Sequence, residues 1–308
     1  MYQDYFQLSC KPFSVTPDPR FIYLSAKHKE ALAHLLYGIE QRSGFIELSG
    51  EVGAGKTTLL RTLLRECDTD DYRTAFIFNP RLSALDLLRT VNREFGLECD
   101  GSRSELFHLL NRFLLEQNAA GRTVLIVVDE AQNLKTTALE EIRLLSNLET
   151  ETDKLVQIIL VGQPELRRLL EHADIRQLNQ RIAVRYHLNP LDAAETGRYI
   201  RHRLQVAGAG GQEFFKPAAM KKIFRRTGGV PRQINLLCDR LLLLCYSEDR
   251  RVVTGADVSR ACRELEHERR FGRTLFFQGA VAVCLALVFA LSFRVVPQMR
   301  HGWSLPTE

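Results

Sequence analysis

The stretch from Phe45 to Thr58 constrains the fold more than any other part of the chain. It reads FIELSGEVGAGKTT, an apolar run that ends in Gly50-x-x-x-x-Gly55-Lys56-Thr57 and is followed by helical apolar spacing. Strand, glycine-rich loop and helix in this order form a P-loop, whose glycines let backbone N–H groups turn toward phosphate oxygens. A flexible turn would explain the glycines but not the flanking strand and helix. The sequence therefore predicts a nucleotide phosphate site.

Each part of this loop has a predicted role. Lys56 is expected to reach the β- and γ-phosphates, and the Thr57 hydroxyl is expected to bind Mg²⁺. The helix that begins here also points its positive dipole end at the anion. The residues predicted to contact the nucleotide are Gly50, Glu51, Val52, Gly53, Ala54, Gly55, Lys56, Thr57 and Thr58.

Apolar runs that alternate with helical patterns predict the fold class. The further runs with strand character are 73–78, 123–128, 155–161 and 182–188. Strands interleaved with helices indicate a parallel sheet built from βαβ units. We predict an α/β fold of the P-loop NTPase class, an αβα sandwich, over residues 25–190. Only helical patterns follow, and they predict a helical lid over residues 191–268.

The first 24 residues have a composition of their own. They hold six aromatic residues and three prolines. Each proline restricts its own backbone and that of the residue before it, which disfavours a helix. We predict that residues 1–24 form an extended arm packed on the domain.

Residues 274–293 form an uncharged apolar segment. The 20 residues TLFFQGAVAVCLALVFALSF include a single glutamine, and an α-helix of this length crosses about 30 Å of hydrocarbon. A buried core helix is the alternative, but such helices are usually shorter or carry a polar stripe. The flanking arginines are Arg269, Arg270 and Arg273 before the segment and Arg294 and Arg300 after it. This asymmetry predicts a transmembrane helix with the preceding domains in the cytoplasm and residues 294–308 as a short tail.

Net charge does not identify a partner class, and cysteine usage argues only against disulfide-rich and zinc-stabilised folds. A net charge of +5 is compatible with nucleic acid or anionic lipid as a partner, but it is too diffuse to decide between them, and we favour a solvated arginine-rich surface. The seven cysteines include no C-x-x-C pair. They indicate reduced core residues, and they exclude both a disulfide framework and a zinc site as organising features.

Asp129 and Glu130 follow the run at 123–128, at the edge where parallel sheets bind ligands. A P-loop protein needs a carboxylate there for the Mg²⁺ shell, and Asp129 fits that role. Glu130 could orient or deprotonate an attacking water. A solvated acidic loop is the alternative. Because a P-loop lies upstream, we favour the catalytic interpretation and predict a nucleotide hydrolase.

Two further polar residues stand at informative places. Gln163 follows the run at 155–161 and could touch the γ-phosphate or the water, or it could simply begin a turn before Pro164. Arg232 lies in the first turn of a predicted helix, where the dipole disfavours a cation. Its position indicates a bound phosphate, with chance surface placement as the alternative.

Arg181 lies between a helical stretch and the run at 182–188. An ordinary surface arginine would explain it. If subunits form a ring, however, Arg181 could reach the γ-phosphate of a neighbour and stabilise transition-state charge. Arg176 and Arg185 are rivals for this role.

These motifs together resemble those of AAA+ ATPases, and more closely those of the general secretion pathway protein A (ExeA/GspA) family. The resembling features are Met1-Tyr2, Tyr5-Phe6, Pro12-Phe13, Thr16-Pro17-Asp18-Pro19, Tyr23-Leu24-Ser25, His28, Glu30-Ala31-Leu32, Gly50 to Thr57, Asp129-Glu130-Ala131-Gln132, Gly162-Gln163-Pro164-Glu165-Leu166, Gln180-Arg181-Ile182 and Gly229-Val230-Pro231-Arg232. The likeness covers about residues 1–268. It implies ATP and Mg²⁺ as cofactors, with Lys56 and Thr57 in Walker A, Asp129 and Glu130 in Walker B, Gln163 as sensor 1, Arg181 as the arginine finger and Arg232 as sensor 2.

The family implies a cytoplasmic ATPase joined by one membrane helix to a periplasmic peptidoglycan-binding domain that assists secretin assembly. Only Arg294 to Glu308 follow the predicted span here, too few residues for a domain, and Gln7 stands where the family usually has glycine. We therefore expect a short form in the bacterial inner membrane that forms a ring or dimer of identical subunits on ATP binding. Its expected partners are components of type II secretion, pilus or exopolysaccharide export, and nucleic acid is not expected.

Two other functions are compatible with the same motifs. A DNA-binding ATPase that resembles transposition regulators fits the mild basicity, although the predicted membrane helix argues against it. A nucleotide-gated scaffold would bind ATP and a partner with little turnover.

Overall fold

Five parallel strands form the predicted sheet. The computed structural model describes residues 1–16, 18–78, 81–151 and 153–264. The strands are β1 (Phe45–Gly50), β2 (Tyr72–Ile77), β3 (Thr123–Val128), β4 (Gln157–Gly162) and β5 (Ile182–Leu188), in the order β2-β3-β4-β1-β5. All four pairings are parallel. The strands β1 and β4 are buried along their whole length, as expected where helices cover both faces of a sheet.

Helices pack on both faces of this sheet. They are α2 (Ala26–Glu40), α3 (Lys56–Glu66), α4 (Ala84–Glu94), α5 (Arg103–Ala119), α6 (Thr136–Leu145), α7 (Pro164–Leu170) and α8 (Arg176–Gln180). Successive side chains of β3 alternate between two separate hydrophobic cores. Val124 and Ile126 join the core under α4, α5 and α6, whereas Leu125 and Val127 join the core under α2 and α3. The predicted P-loop α/β sandwich is confirmed.

The described residues after Leu188 are mainly helical. It forms α9 (Ala193–Val206), α10 (Pro217–Thr227), α11 (Pro231–Ser247) and α12, which is described over residues 255–264. Asp192 is the N-cap of α9 and forms a capping box with Glu195. The Asp192 carboxylate accepts from the backbone N–H of Glu195, and the Glu195 carboxylate accepts from the backbone N–H of Asp192. These helices have a hydrophobic core separate from the two beside the sheet.

The N-terminal arm packs on this helical lid. The arm aromatics Tyr2, Phe6, Phe13 and Phe21 are buried in the lid core. The arm is not extended throughout, because α1 (Tyr2–Tyr5) and a 3₁₀ turn at Pro19–Phe21 are helical. Both exceptions have a local reason. No proline precedes position 12, and Pro19 opens the 3₁₀ turn, where its missing N–H costs nothing.

Arg203 of α9 connects the arm and the lid by hydrogen bonds and a cation–π contact. Its guanidinium donates to the backbone oxygens of Pro12, at 2.5 Å, and Ser14, at 3.1 Å. It also lies 4.5 Å from the centroid of the Phe21 ring. A buried arginine with these contacts makes the arm and the lid one packed unit.

Within residues 1–264, leaving aside the four positions not described, no helix has the length and apolar character needed to span a membrane. The predicted span at 274–293 and the tail at 294–308 lie outside the described residues. Both stay predictions.

Candidate nucleotide site

The loop between β1 and α3 is shaped by glycines in left-handed conformations. Gly53 has φ +81° and Gly55 has φ +109°, a region that other residues rarely adopt. A Cβ atom on Gly53 would lie 2.5 Å from the Cβ of Arg232, and one on Gly55 would lie 2.6 Å from Nε2 of His28. The loop is therefore enclosed by the lid on one side and by α2 on the other.

Lys56 is buried at the first position of α3. Its ammonium group donates to the backbone oxygens of Gly50 at 2.7 Å and Glu51 at 3.1 Å. Burial lowers the pKa of Lys56, and the nearby carboxylates of Glu130 and Asp129 act against this shift. The loop thus holds a cation that is surrounded by backbone dipoles and acids, as a phosphate-binding lysine requires.

Thr57 and Asp129 meet at the carboxyl edge of the sheet. The Thr57 hydroxyl donates to Oδ2 of Asp129 at 3.3 Å, and Oδ1 of Asp129 accepts from the backbone N–H of Glu130 at 2.9 Å. Burial raises the pKa of Asp129. A hydroxyl and a carboxylate oxygen are the ligands that Mg²⁺ takes beside nucleotide phosphates, so the donor set fits this ion.

Glu130 is held by two amide side chains. Its Oε2 accepts from Nε2 of Gln163 at 3.0 Å and from Nε2 of Gln132 at 2.5 Å. Oε1 of Gln132 in turn accepts from the backbone N–H of Gln163 at 3.1 Å. The backbone of Glu130 is left-handed, with φ 53°, an uncommon state for a residue other than glycine. These hydrogen bonds thus hold the Glu130 carboxylate in one orientation.

Gln132 was not among the predicted site residues. It joins the end of β3 to the end of β4, and Gly162 leaves room for it, since a Cβ there would lie 2.7 Å from Gln132 Oε1. The sequence shows that Gln132 follows Glu130 by two residues, but this spacing does not indicate where the Gln132 side chain points.

His28 is a second functional candidate that sequence reasoning missed. It lies buried against the P-loop, with Nε2 3.2 Å from the backbone oxygen of Ala54 and Nδ1 2.8 Å from the Ser25 hydroxyl. Burial lowers the pKa of His28. A neutral ring that donates from Nε2 to Ala54 and accepts at Nδ1 from Ser25 satisfies all these groups. Ser25 is also the N-cap of α2. Its prediction as a helix cap was the only sequence signal that placed His28 in the first turn of this helix.

Arg232 reaches the P-loop from the lid. Its backbone N–H points at the oxygen of Gly53, at 3.4 Å, and its side chain is exposed. It lies in the first turn of α11, as predicted. The lid thereby places the Arg232 side chain next to Gly53, and its guanidinium makes no hydrogen bond or ion pair within the described residues.

The three candidate finger arginines make different contacts. Arg181 donates to the Ser146 hydroxyl at 3.1 Å and to Asn147. Arg185 pairs with the buried Glu47 at 2.8 Å. The side chain of Arg176 is exposed and makes no hydrogen bond or ion pair within the part of the chain that the structure describes. All three side chains are exposed, but only Arg185 is paired with a buried carboxylate of its own subunit, whereas Arg181 contacts neutral acceptors.

A cavity of about 110 Å³ lies beside the P-loop, between the arm, α3 and the lid. Tyr23 of the arm and Tyr199 of the lid line it, with ring centroids 5.7 Å apart, together with Gly55 and Thr58 of the loop. Apolar residues and the arginines Arg61, Arg65 and Arg203 also line its walls, so a nucleotide base could find both ring contacts and hydrogen-bond donors here.

Comparison with known proteins agrees with this geometry. Residues 39–170 match the family described as AAA domain. The chain is 44% identical over 288 residues to general secretion pathway protein A of Aeromonas hydrophila, a match that covers 93% of this chain and 52% of that protein. The chain thus contains a region that matches an AAA domain and is similar to general secretion pathway protein A over most of its own length. The predicted resemblance is confirmed, and the chain spans about half the length of this relative.

Solved structures resemble the fold at low sequence identity. Drosophila ORC bound to DNA is 18% identical, with a TM-score of 0.64 over 84% of this chain and 65% of that one. Cdc6p from Pyrobaculum aerophilum is 20% identical, with a TM-score of 0.62 over 82% and 70% of the two chains. At such identities the likeness shows the AAA+ fold alone.

The structure brings most of the predicted site residues to one place. Lys56, Thr57, Asp129, Glu130 and Gln163 share the carboxyl edge of the sheet, and Arg232 faces them from the lid. Arg181 makes no hydrogen bond to the P-loop of its own subunit within the described residues. Its predicted role needs a neighbour.

Proposed function

We propose that this chain binds ATP with Mg²⁺ and hydrolyses it. The observation that carries the proposal is Glu130, a carboxylate fixed by two amides beside the Thr57–Asp129 pair. In this site Glu130 accepts the proton of the attacking water, and Gln163 contacts the water or the γ-phosphate. Lys56 neutralises the β- and γ-phosphates, and Arg232 adds positive charge from the lid. Thr57 and Asp129 would hold Mg²⁺, which supplies charge stabilisation when bound.

The ATPase is further proposed to be anchored in the bacterial inner membrane and to assist an envelope export system. The support is twofold. The relative at 44% identity is named for the general secretion pathway, and the run at 274–293 has the length of a membrane span. Hydrolysis in the cytoplasmic part would drive assembly or operation of type II secretion, pilus or exopolysaccharide export components.

Replacing Lys56 by alanine tests nucleotide binding. Loss of the buried ammonium removes the charge that meets the phosphates, so ATP affinity should fall at least about tenfold and kcat about 100-fold. Binding by fluorescent-nucleotide titration and phosphate release would be measured on the full chain. Lys135→Ala is the matched control, because that lysine is exposed and caps α6 without a side-chain hydrogen bond.

Wild-type affinity and turnover in Lys56→Ala would contradict the proposed site. A wild-type protein that binds ATP but releases no phosphate in a single-turnover assay, even as an oligomer, would instead support the nucleotide-gated scaffold.

Arg181 is proposed to act on the nucleotide of a neighbouring subunit. Arg181→Ala should lower kcat by about 10³-fold, and mixing it with an equally inactive Glu130→Gln subunit should restore activity. Random mixing in equal amounts gives about a quarter of the sites an intact Glu130 and a neighbour with an intact arginine. Phosphate release from the mixture is the measurement. No restored activity on mixing, with both variants able to oligomerise, would reject the role, and Arg176→Ala would be tested in the same way.

A further inference from the structure

The positive charge of the chain is concentrated in the lid. Residues 191–264 hold 14 Lys and Arg against 8 Asp and Glu, a net charge of +6. Residues 1–190 hold 23 against 26, a net charge of −3. The mild basicity of the whole chain is therefore a local property of the helical lid.

Within the lid, cations line a groove between α10 and α12. The lining residues are Lys222, Arg225, Arg226, Val258, Ser259, Cys262 and Arg263. None of them is acidic. The acids of α12 face elsewhere, because Asp257 pairs with Arg250 and Glu264 lies 3.4 Å from Arg260. The groove is therefore cationic and has no carboxylate among its described lining residues.

Three cations of this groove, Lys222, Arg225 and Arg263, pair with no carboxylate in the described part of the protein. Lys222 donates at 2.8 Å to two neutral acceptors, the Gly255 oxygen and the Ser259 hydroxyl. Arg225 and Arg263 are exposed and form no ion pair within residues 1–264 as described. An external anion could thus pair with a guanidinium on each wall of the groove, a geometry suited to phosphate oxygens.

The place of the groove in the chain indicates which anion it meets. The described part of α12 ends at residue 264 and the apolar run begins at 274. The nine residues between them span about 14 Å as a helix and at most about 30 Å when extended. This connection carries three arginines against two glutamates. Basic segments at this distance from a span meet the negative potential of the cytoplasmic leaflet.

We propose that the groove formed by Lys222, Arg225 and Arg263 binds the phosphate of anionic lipid headgroups and lays the lid against the membrane. This inference rests on the proposed membrane anchorage. The lid, which carries Arg232 over the P-loop, would then contact the membrane through the groove as well as the P-loop through Arg232.

Arginine footprinting of the full chain in nanodiscs tests the proposal. The protein would be placed in nanodiscs of phosphatidylcholine alone or with phosphatidylglycerol, and phenylglyoxal modification would be followed by peptide mass spectrometry. Arg225 and Arg263 should react at least fivefold more slowly in the anionic nanodiscs, and high salt should abolish the difference. Arg112 and Arg167, exposed on α5 and α7, are internal references and should not change.

A charge-reversal pair sharpens the result. In the wild-type protein, anionic lipid should protect the groove lysine Lys222 from acylation by an amine-reactive reagent. Arg225→Glu with Arg263→Glu should abolish this protection, whereas Arg112→Glu with Arg167→Glu should keep it. Equal footprints in both lipids would overturn the proposal. So would protection by duplex DNA but not by anionic lipid, which would assign the surface to nucleic acid. Failure to enter neutral nanodiscs would instead refute the anchorage itself, with ATP hydrolysis unaffected.

Discussion

Replacing Glu130 by glutamine is expected to lower kcat for ATP hydrolysis by about 10²- to 10⁴-fold while ATP binding stays within a few fold of wild type. The reason lies in the hydrogen bonds of this side chain. Gln132 and Gln163 both donate to one carboxylate oxygen, and the amide oxygen of a glutamine can accept from both. The site should therefore keep its shape and lose only the group that takes a proton. Phosphate release and nucleotide titration on the same preparation measure the two effects.

A matched control separates this chemistry from a loss of negative charge. Glu165 lies at the start of α7, is exposed, and contributes to the electrostatic environment of Lys56. Glu165→Gln removes the same charge from the neighbourhood without touching the water position, and its kcat should stay within about threefold of wild type. Full activity in Glu130→Gln, or an equal loss in Glu165→Gln, would show that Glu130 is not the base.

The sequence predicted the parts of the site that lie within a single segment. Strand β3 begins and ends where the apolar run does, at Thr123 and Val128, because a continuous β-branched run is an unambiguous signal for a buried strand. The P-loop is likewise contiguous, so its glycines and Lys56 could be assigned without any tertiary information.

Relations between distant segments could not be obtained in the same way. A helical stretch was expected before Arg181, but α7 was not given bounds of its own, because seven residues give too little periodicity. Without these bounds, nothing indicated that Gln132 would meet the backbone of Gln163. The arm was expected to pack on the domain, without a prediction of which part, and its aromatics pack in the lid core. Hydrophobicity indicates that a residue is buried but not which residues it packs against.

The junction between the two domains depends on Gly229. Its φ is +75°, its backbone oxygen accepts from the N–H of Leu191 at 3.0 Å, and a Cβ atom there would lie 1.8 Å from the Leu191 oxygen. Two residues later α11 begins its first turn, which places Arg232 over Gly53. This close approach of two backbones admits no side chain.

Gly229→Ala should therefore destabilise the lid by about 3 kcal/mol or more, because the backbone must move to relieve the clash. Gly228→Ala is the matched control, since Gly228 also has a positive φ, +59°, but a Cβ there meets nothing within 4 Å. It should cost only about 1 kcal/mol, the penalty of a left-handed alanine. Urea unfolding followed by circular dichroism compares the two variants. Under conditions in which both stay folded, only Gly229→Ala should also weaken ATP binding, because it shifts Arg232 away from the loop. Equal effects of the two substitutions would mean that the lid moves freely at this junction, and Arg232 would then not be held in place by the fold.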